Sequence, residues 1–198
     1  MPQAETLLQL AKANLAPARL TDASLVLIDI QNEYVSGALP LPEASGAIAS
    51  AAALLAKARA AGTPVFHVAH RGRAGGMFDR SAERGAIVSQ LTPAAGEAVV
   101  EKELPNAFAK TELQRLLTET GRKEIILAGM MTHMCISSTA RAALDLGFRT
   151  TIDATACATR DLPDGLGGTI PARTVNEIAL VELSDRFAIV VRDSSLIS

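Results

Sequence analysis

The sequence predicts an α/β fold: three layers, α-β-α and Rossmann-like, around a mostly parallel six-stranded sheet. Three observations predict it. Short apolar runs rich in Val, Ile and Leu alternate with helix-forming segments. Those runs lack clean two-residue alternation, as strands covered on both faces do. The 198 residues suffice for one sizeable core, and no linker, repeat or low-complexity boundary divides them, so residues 1–198 read as a single domain.

In chain order, Glu5–Lys12 reads as a short helix. Ser24–Ile30 is a compact apolar run with the length and branching of a buried strand. Gln31–Pro42, punctuated by Gly37, Pro40 and Pro42, is a loop. Glu43–Ala61 is a helix by its Ala, Leu and Lys content, stopped by Gly62. Thr63–Ala69 is the second strand. His70–Gly96 is a long polar, Gly-rich passage, of the kind that carries function in a compact domain. Glu97–Glu101 reads as a strand, Leu104–Asn106 as a turn, and Ala107–Thr120 as a helix closed by Gly121. Strand Glu124–Gly129, helix Met134–Leu146 and strand Phe148–Ile152 follow, then a glycine-containing loop at Asp153–Gly168, helix Ile170–Ser184 and strand Phe187–Val191.

Composition narrows the partners. Net charge is −2, from 19 basic and 21 acidic residues, without a long basic run, so a nucleic-acid footprint is missing. Aromatic residues are 3% of the chain, which leaves few platforms for stacking bases. The apolar stretches Leu25–Ile30 and Ile125–Met131 are too short to span a bilayer, and Met1–Leu20 lacks a signal-peptide core. Two cysteines, Cys135 and Cys157, make no disulfide scaffold, and a reducing, cytoplasmic compartment is the expectation. Gly72–Gly76 lacks the phosphate-loop pattern, and no nucleotide or other cofactor is indicated.

In open α/β sheets ligands bind beyond the carboxyl ends of the strands. There lie Asp29 at the end of the first strand, Lys102 after the third and Cys135 after the fourth. A helix N-terminus and a nearby lysine favour a thiolate, and a carboxylate accepts the thiol proton, so these residues supply a nucleophile, a cation and a base. Singly, each has a plain structural role: Cys135 as packing, Asp29 as a turn cap, Lys102 as a solvated surface charge.

The chain resembles the isochorismatase-like cysteine hydrolases, which include nicotinamidases, N-carbamoylsarcosine amidases and streptothricin hydrolases. The likeness spans Leu25–Val191 and rests on three segments. These are residues 25–34 (LVLIDIQNEY), residues 100–108 (VEKELPNAF) and residues 129–135 (GMMTHMC), the last similar to the family's G-x-x-T-x-x-C nucleophile segment. The resemblance implies Cys135 as nucleophile, Asp29 as base and proton shuttle, and Lys102 as the cationic third member. It also implies a cis Met130–Met131 peptide bond and an oxyanion hole formed by the backbone N–H groups of Met131 and Cys135. A Thr132 hydroxyl acting as N-cap would compete for the Cys135 N–H. The implied substrate is a small carbonyl compound: an amide, cyclic amide or carbamoyl group cleaved through a thioester. A homodimer or larger homo-oligomer is implied as well.

Tyr34, Phe78, Phe108 and His133 are candidate pocket residues, with core packing as the alternative for the aromatic ones. Arg71, Arg73 and Arg80 are candidate carboxylate binders or solvated charges. The acid-and-two-histidine cluster of nicotinamidases is missing; His67 and His70 would ligate a metal only if their side chains converged, so no metal is expected. A non-catalytic binding protein on the same fold, or a metal-dependent nicotinamidase, are the competing readings.

Overall fold

The computed structural model describes residues 4–198. Its main sheet has six strands: β1 (Ala23–Ile28), β2 (Val65–His70), β3 (Ala98–Lys102), β4 (Glu124–Met130), β5 (Arg149–Ala158) and β8 (Ile189–Val191). All are parallel, in the order β3-β2-β1-β4-β5-β8. The helices are α1 (Leu7–Leu10), α2 (Ala44–Ala60), α3 (Leu113–Glu119), α4 (Ser137–Asp145) and α5 (Ala172–Arg186). The expected architecture is therefore the observed one.

Side-chain parity divides the core in two. Leu25 and Leu27 of β1, with Ile126 and Ala128 of β4, face one way and pack on Ala47, Ala51, Leu54 and Leu55 of α2. Val26 and Ile28, with Ile125 and Leu127, face the other way and meet Leu117 of α3, Ala140 and Ala143 of α4, and Leu183 of α5. Every residue of β1 is buried, which explains the unbroken apolar run. On α2 the buried positions Ala44, Ala47, Ile48, Ala51, Leu54, Leu55 and Ala58 recur at helical spacing, and small side chains bring that helix close to the sheet.

Element boundaries differ from expectation for local reasons. β1 stops at Ile28 because Asp29 adopts a left-handed backbone, φ 52°. β5 runs past Ile152, because Asp153 closes a turn within the strand: its Oδ1 accepts from the Thr155 N–H, the Thr155 hydroxyl and the Ala156 N–H. The expected loop after it holds a small hairpin, β6 (Leu162–Pro163) and β7 (Thr169–Ile170). α3 starts only at Leu113, since Asn106 turns the chain with a hydrogen bond to the Phe108 N–H and Lys110 is left-handed at φ 58°. α4 starts at Ser137, preceded by one π-helical turn, Thr132–Ile136. No helix among the described residues is long and apolar enough to cross a membrane.

Strand order reverses between β1 and β4, the switch point where open α/β sheets bind ligands. Gly129 lies there with φ 137°, and a Cβ on it would sit 2.0 Å from the Ile28 carbonyl oxygen. Only glycine lets β4 approach β1 this closely as the chain turns toward Cys135. Gly129→Ala is therefore expected to lower stability by more than about 1 kcal/mol, read from the denaturant midpoint. An unchanged midpoint would contradict this packing.

Candidate active site

Asp29 follows β1, Lys102 ends β3, and Cys135 lies in the π-helical turn after β4. β3 is two strands from β1, a separation of about 10 Å. A lysine stem reaching from one side and the Asp29 carboxylate from the other cover it together. Lys102 extends past the end of β2, and its Nζ lies 2.6 Å from Asp29 Oδ2. The same ammonium donates to Cys135 Sγ at 3.3 Å. The three sequence-predicted residues thus converge on one point, where Asp29 and Lys102 are buried and Cys135 is 6% exposed.

The Asp29 carboxylate is held by its ion pair with Lys102; no backbone N–H or hydroxyl donates to either oxygen among the described residues. Burial raises its pKa above the ordinary range, against the opposing pull of Lys102. That suits a group that must accept a proton. The Cys135 thiol is pushed up to about 12, first by burial and then by the Asp29 charge, with Lys102 working the other way. Burial and the neighbouring carboxylate thus outweigh the helix end and the lysine, which favour a thiolate. The raised value keeps the resting thiol protonated.

The Met130–Met131 peptide bond is cis. The Met131 carbonyl accepts from both the Met134 and the Ile136 N–H, closing the turn that carries Cys135. Thr132 is not the N-cap; its hydroxyl donates to Asn176 Oδ1 at 2.5 Å, across to α5. Competition by that hydroxyl for the Cys135 N–H is removed.

Tyr34 and Phe78 meet edge to face with centroids 5.1 Å apart, and Phe78 also meets the His70 ring at 5.0 Å. Burial and the charges of Asp29 and Cys135 raise the Tyr34 pKa, which puts this aromatic wall within reach of the cluster's field. His133 pairs through Nδ1 with the Thr159 hydroxyl at 2.5 Å. Phe108 instead stacks on Phe148 at 6.0 Å, committing its ring to core packing. His67 and His70 diverge: His67 Nε2 bonds Glu97 at 2.8 Å, while His70 Nδ1 faces Lys102 at 3.4 Å. An odd spacing along a strand sends them to opposite faces. No group of three or more His, Cys, Asp or Glu with metal-holding geometry occurs among the described residues.

Several residues at this site carry no motif that points to them. Gln31 bonds both backbone groups of His70, through Oε1 at 2.8 Å and Nε2 at 3.0 Å, and the Gly85 carbonyl at 2.8 Å. Glu33, fully buried, takes two bonds from Arg84 and one from the Phe78 N–H, and Arg84 holds its pKa down to about 2. These two side chains pin the 70–85 loop over the strand ends. Arg71 and Arg80, considered as carboxylate binders, are occupied by Glu103 and Glu101. Arg160, just beyond β5, has no acidic partner among the described ion pairs and a buried Nε without a hydrogen-bond partner. Its charge acts on both Tyr34 and His133.

The family model described as the isochorismatase domain matches residues 23–193. The secreted isochorismatase effector Isc1 of Verticillium dahliae is 36% identical over 180 residues, covering 90% of this chain and 92% of that protein. A maleamate amidohydrolase of Pseudomonas putida is 34% identical over 146 residues, covering 65% and 68%. A crystal structure of an isochorismatase from Pseudomonas putida superposes with a TM-score of 0.94 at 41% identity, over 98% of this chain and 100% of that one.

Asp29→Asn removes a negative charge beside the thiol, so the Cys135 titration is expected to move down from about 12. The pH dependence of thiolate absorbance reads it. A midpoint unchanged or higher in the variant would contradict the electrostatics described.

Proposed function

The chain belongs to the isochorismatase family of hydrolases, and from that premise we propose that it cleaves a C–N bond of a small amide, cyclic amide or carbamoyl compound with Cys135 as nucleophile. The observation that carries this reading is one ammonium, Lys102, within 3.3 Å of a buried thiol and 2.6 Å of a buried carboxylate at the sheet's switch point.

The Asp29 carboxylate takes the thiol proton as Sγ attacks the carbonyl carbon. The raised pKa of Asp29 suits it to that transfer. Lys102 offsets the charge arising on sulfur. The carbonyl oxygen becomes an oxyanion held by the backbone N–H groups of Met131 and Cys135. Asp29, now protonated, returns its proton to the leaving nitrogen; the C–N bond breaks and a thioester remains. Asp29 next removes a proton from water, whose oxygen attacks the thioester. The acid departs and the thiol is restored with its proton.

Tyr34, Phe78 and His133 form the wall against which the small molecule rests. Arg160 supplies a positive charge no protein acid neutralises among the described ion pairs, which favours substrates with a carboxylate or another oxygen acceptor near the scissile bond. The reading treats residues 1–198 as one hydrolase domain. Exposed Ile178 and Val181 on α5 support assembly into a homodimer or larger homo-oligomer.

A panel of small amides and carbamoyl compounds, read by ammonia or amine release, identifies the substrate. Cys135→Ala is expected to fold as the parent does and to lose at least about a thousandfold in kcat/KM. Undiminished turnover by that variant would remove the covalent route.

A further inference from the structure

A buried ammonium brings three N–H donors, and each needs an acceptor. Lys102 has three neighbours that serve: Asp29 Oδ2 at 2.6 Å, Cys135 Sγ at 3.3 Å and His70 Nδ1 at 3.4 Å. The first two belong to the reaction already described. The third does not.

We propose that His70 is a positioning residue: its unprotonated Nδ1 takes the third N–H of Lys102, and so fixes the other two on Asp29 and Cys135. The inference rests on the functional reading above for its consequence, but not for its geometry. Nζ otherwise turns freely about the end of a flexible stem. Two acceptors leave one donor of this buried ammonium without a protein partner; three acceptors define a single orientation.

The backbone of His70 and one face of its surroundings are held in place. His70 pairs in register with Lys102 across β2 and β3. Its backbone N–H and carbonyl are both bonded to the Gln31 side chain. Its ring meets the edge of Phe78 at 5.0 Å, and Phe78 is anchored through its N–H to Glu33. With Nδ1 accepting, the ring proton resides on Nε2. The charged groups acting on the ring are Lys102 from β3, Asp29 after β1 and Glu103 after β3. Burial, followed by Lys102, disfavours a second positive charge there, so the acceptor form is kept. Protonation would remove the acceptor and set two cations against each other.

The test separates ring from acceptor. His70→Phe keeps an aromatic ring against Phe78 and removes the acceptor. His70→Asn places an amide oxygen near the Nδ1 position and cannot titrate. Alkylation of Cys135 by iodoacetamide, followed against pH, reads the lysine's support of the thiolate without any substrate. His70→Phe is expected to slow alkylation roughly tenfold and to move its pH midpoint upward. His70→Asn is expected to stay within about twofold of the parent. Nitrogen NMR of the histidine rings in the parent protein, which needs no variant, is expected to report Nδ1 as the unprotonated nitrogen of His70. The proposal is overturned if His70→Phe labels like the parent, if His70→Asn is as slow as His70→Phe, or if the Nδ1-protonated tautomer is found. Should the labelling pattern hold while the parent hydrolyses no amide, the positioning role stands and the proposed function falls.

Discussion

A carboxylate and an ammonium buried together, Asp29 against Lys102, are the constraint on which this structure depends. Taking both charges out of water is costly, and their attraction recovers that cost only when they are in contact. Contact requires β1 and β3 to end at the same level with one strand between them, and a side chain long enough to reach across. It also fixes the chemistry. Burial leaves Asp29 short of directed hydrogen bonds and raises its affinity for a proton, while the same burial keeps the nearby sulfur protonated. The site at rest is a protonated thiol and a carboxylate sharing one cation.

The surrounding structure serves that pair. Gly129 lets β4 close on β1, so that the π-helical turn delivers Cys135 to the lysine. Gln31 and Glu33 follow Asp29 by two and four residues, and each reaches the 70–85 loop, one at His70 and Gly85, the other at Phe78 and Arg84. A single short segment therefore provides the proposed base and the two ties that hold the loop over it. Arg160 comes from beyond β5, with no acidic partner among the described ion pairs.

The sheet was legible because its central strands, β1 and β4, are short, continuous apolar runs buried on both faces. The three converging residues were legible because strand ends are where such sheets gather chemistry. What was not legible depends on atoms that sequence spacing does not locate. Asp153 looks like a strand terminator, yet its carboxylate bonds its own backbone and the strand resumes. Asp29 looks like part of β1, yet its left-handed backbone ends the strand. Thr132 has the identity of an N-cap and spends its hydroxyl on Asn176. The helix end and the lysine beside Cys135 are visible in sequence; the burial that holds its thiol protonated is not. Gln31, Glu33 and Arg160 are ordinary polar residues by composition; the burial of the first two and of the Arg160 Nε distinguishes them, and only the folded chain shows it.

A double-mutant cycle between Asp29→Asn and Lys102→Met, with unfolding free energy as the readout, tests the central constraint most directly. If the two charges depend on each other as described, each single variant leaves a buried charge unpaired and costs about 3–5 kcal/mol. The double variant should then be far less damaged than the sum, with a coupling of at least about 2 kcal/mol. Additive losses, with no coupling beyond error, would contradict the account.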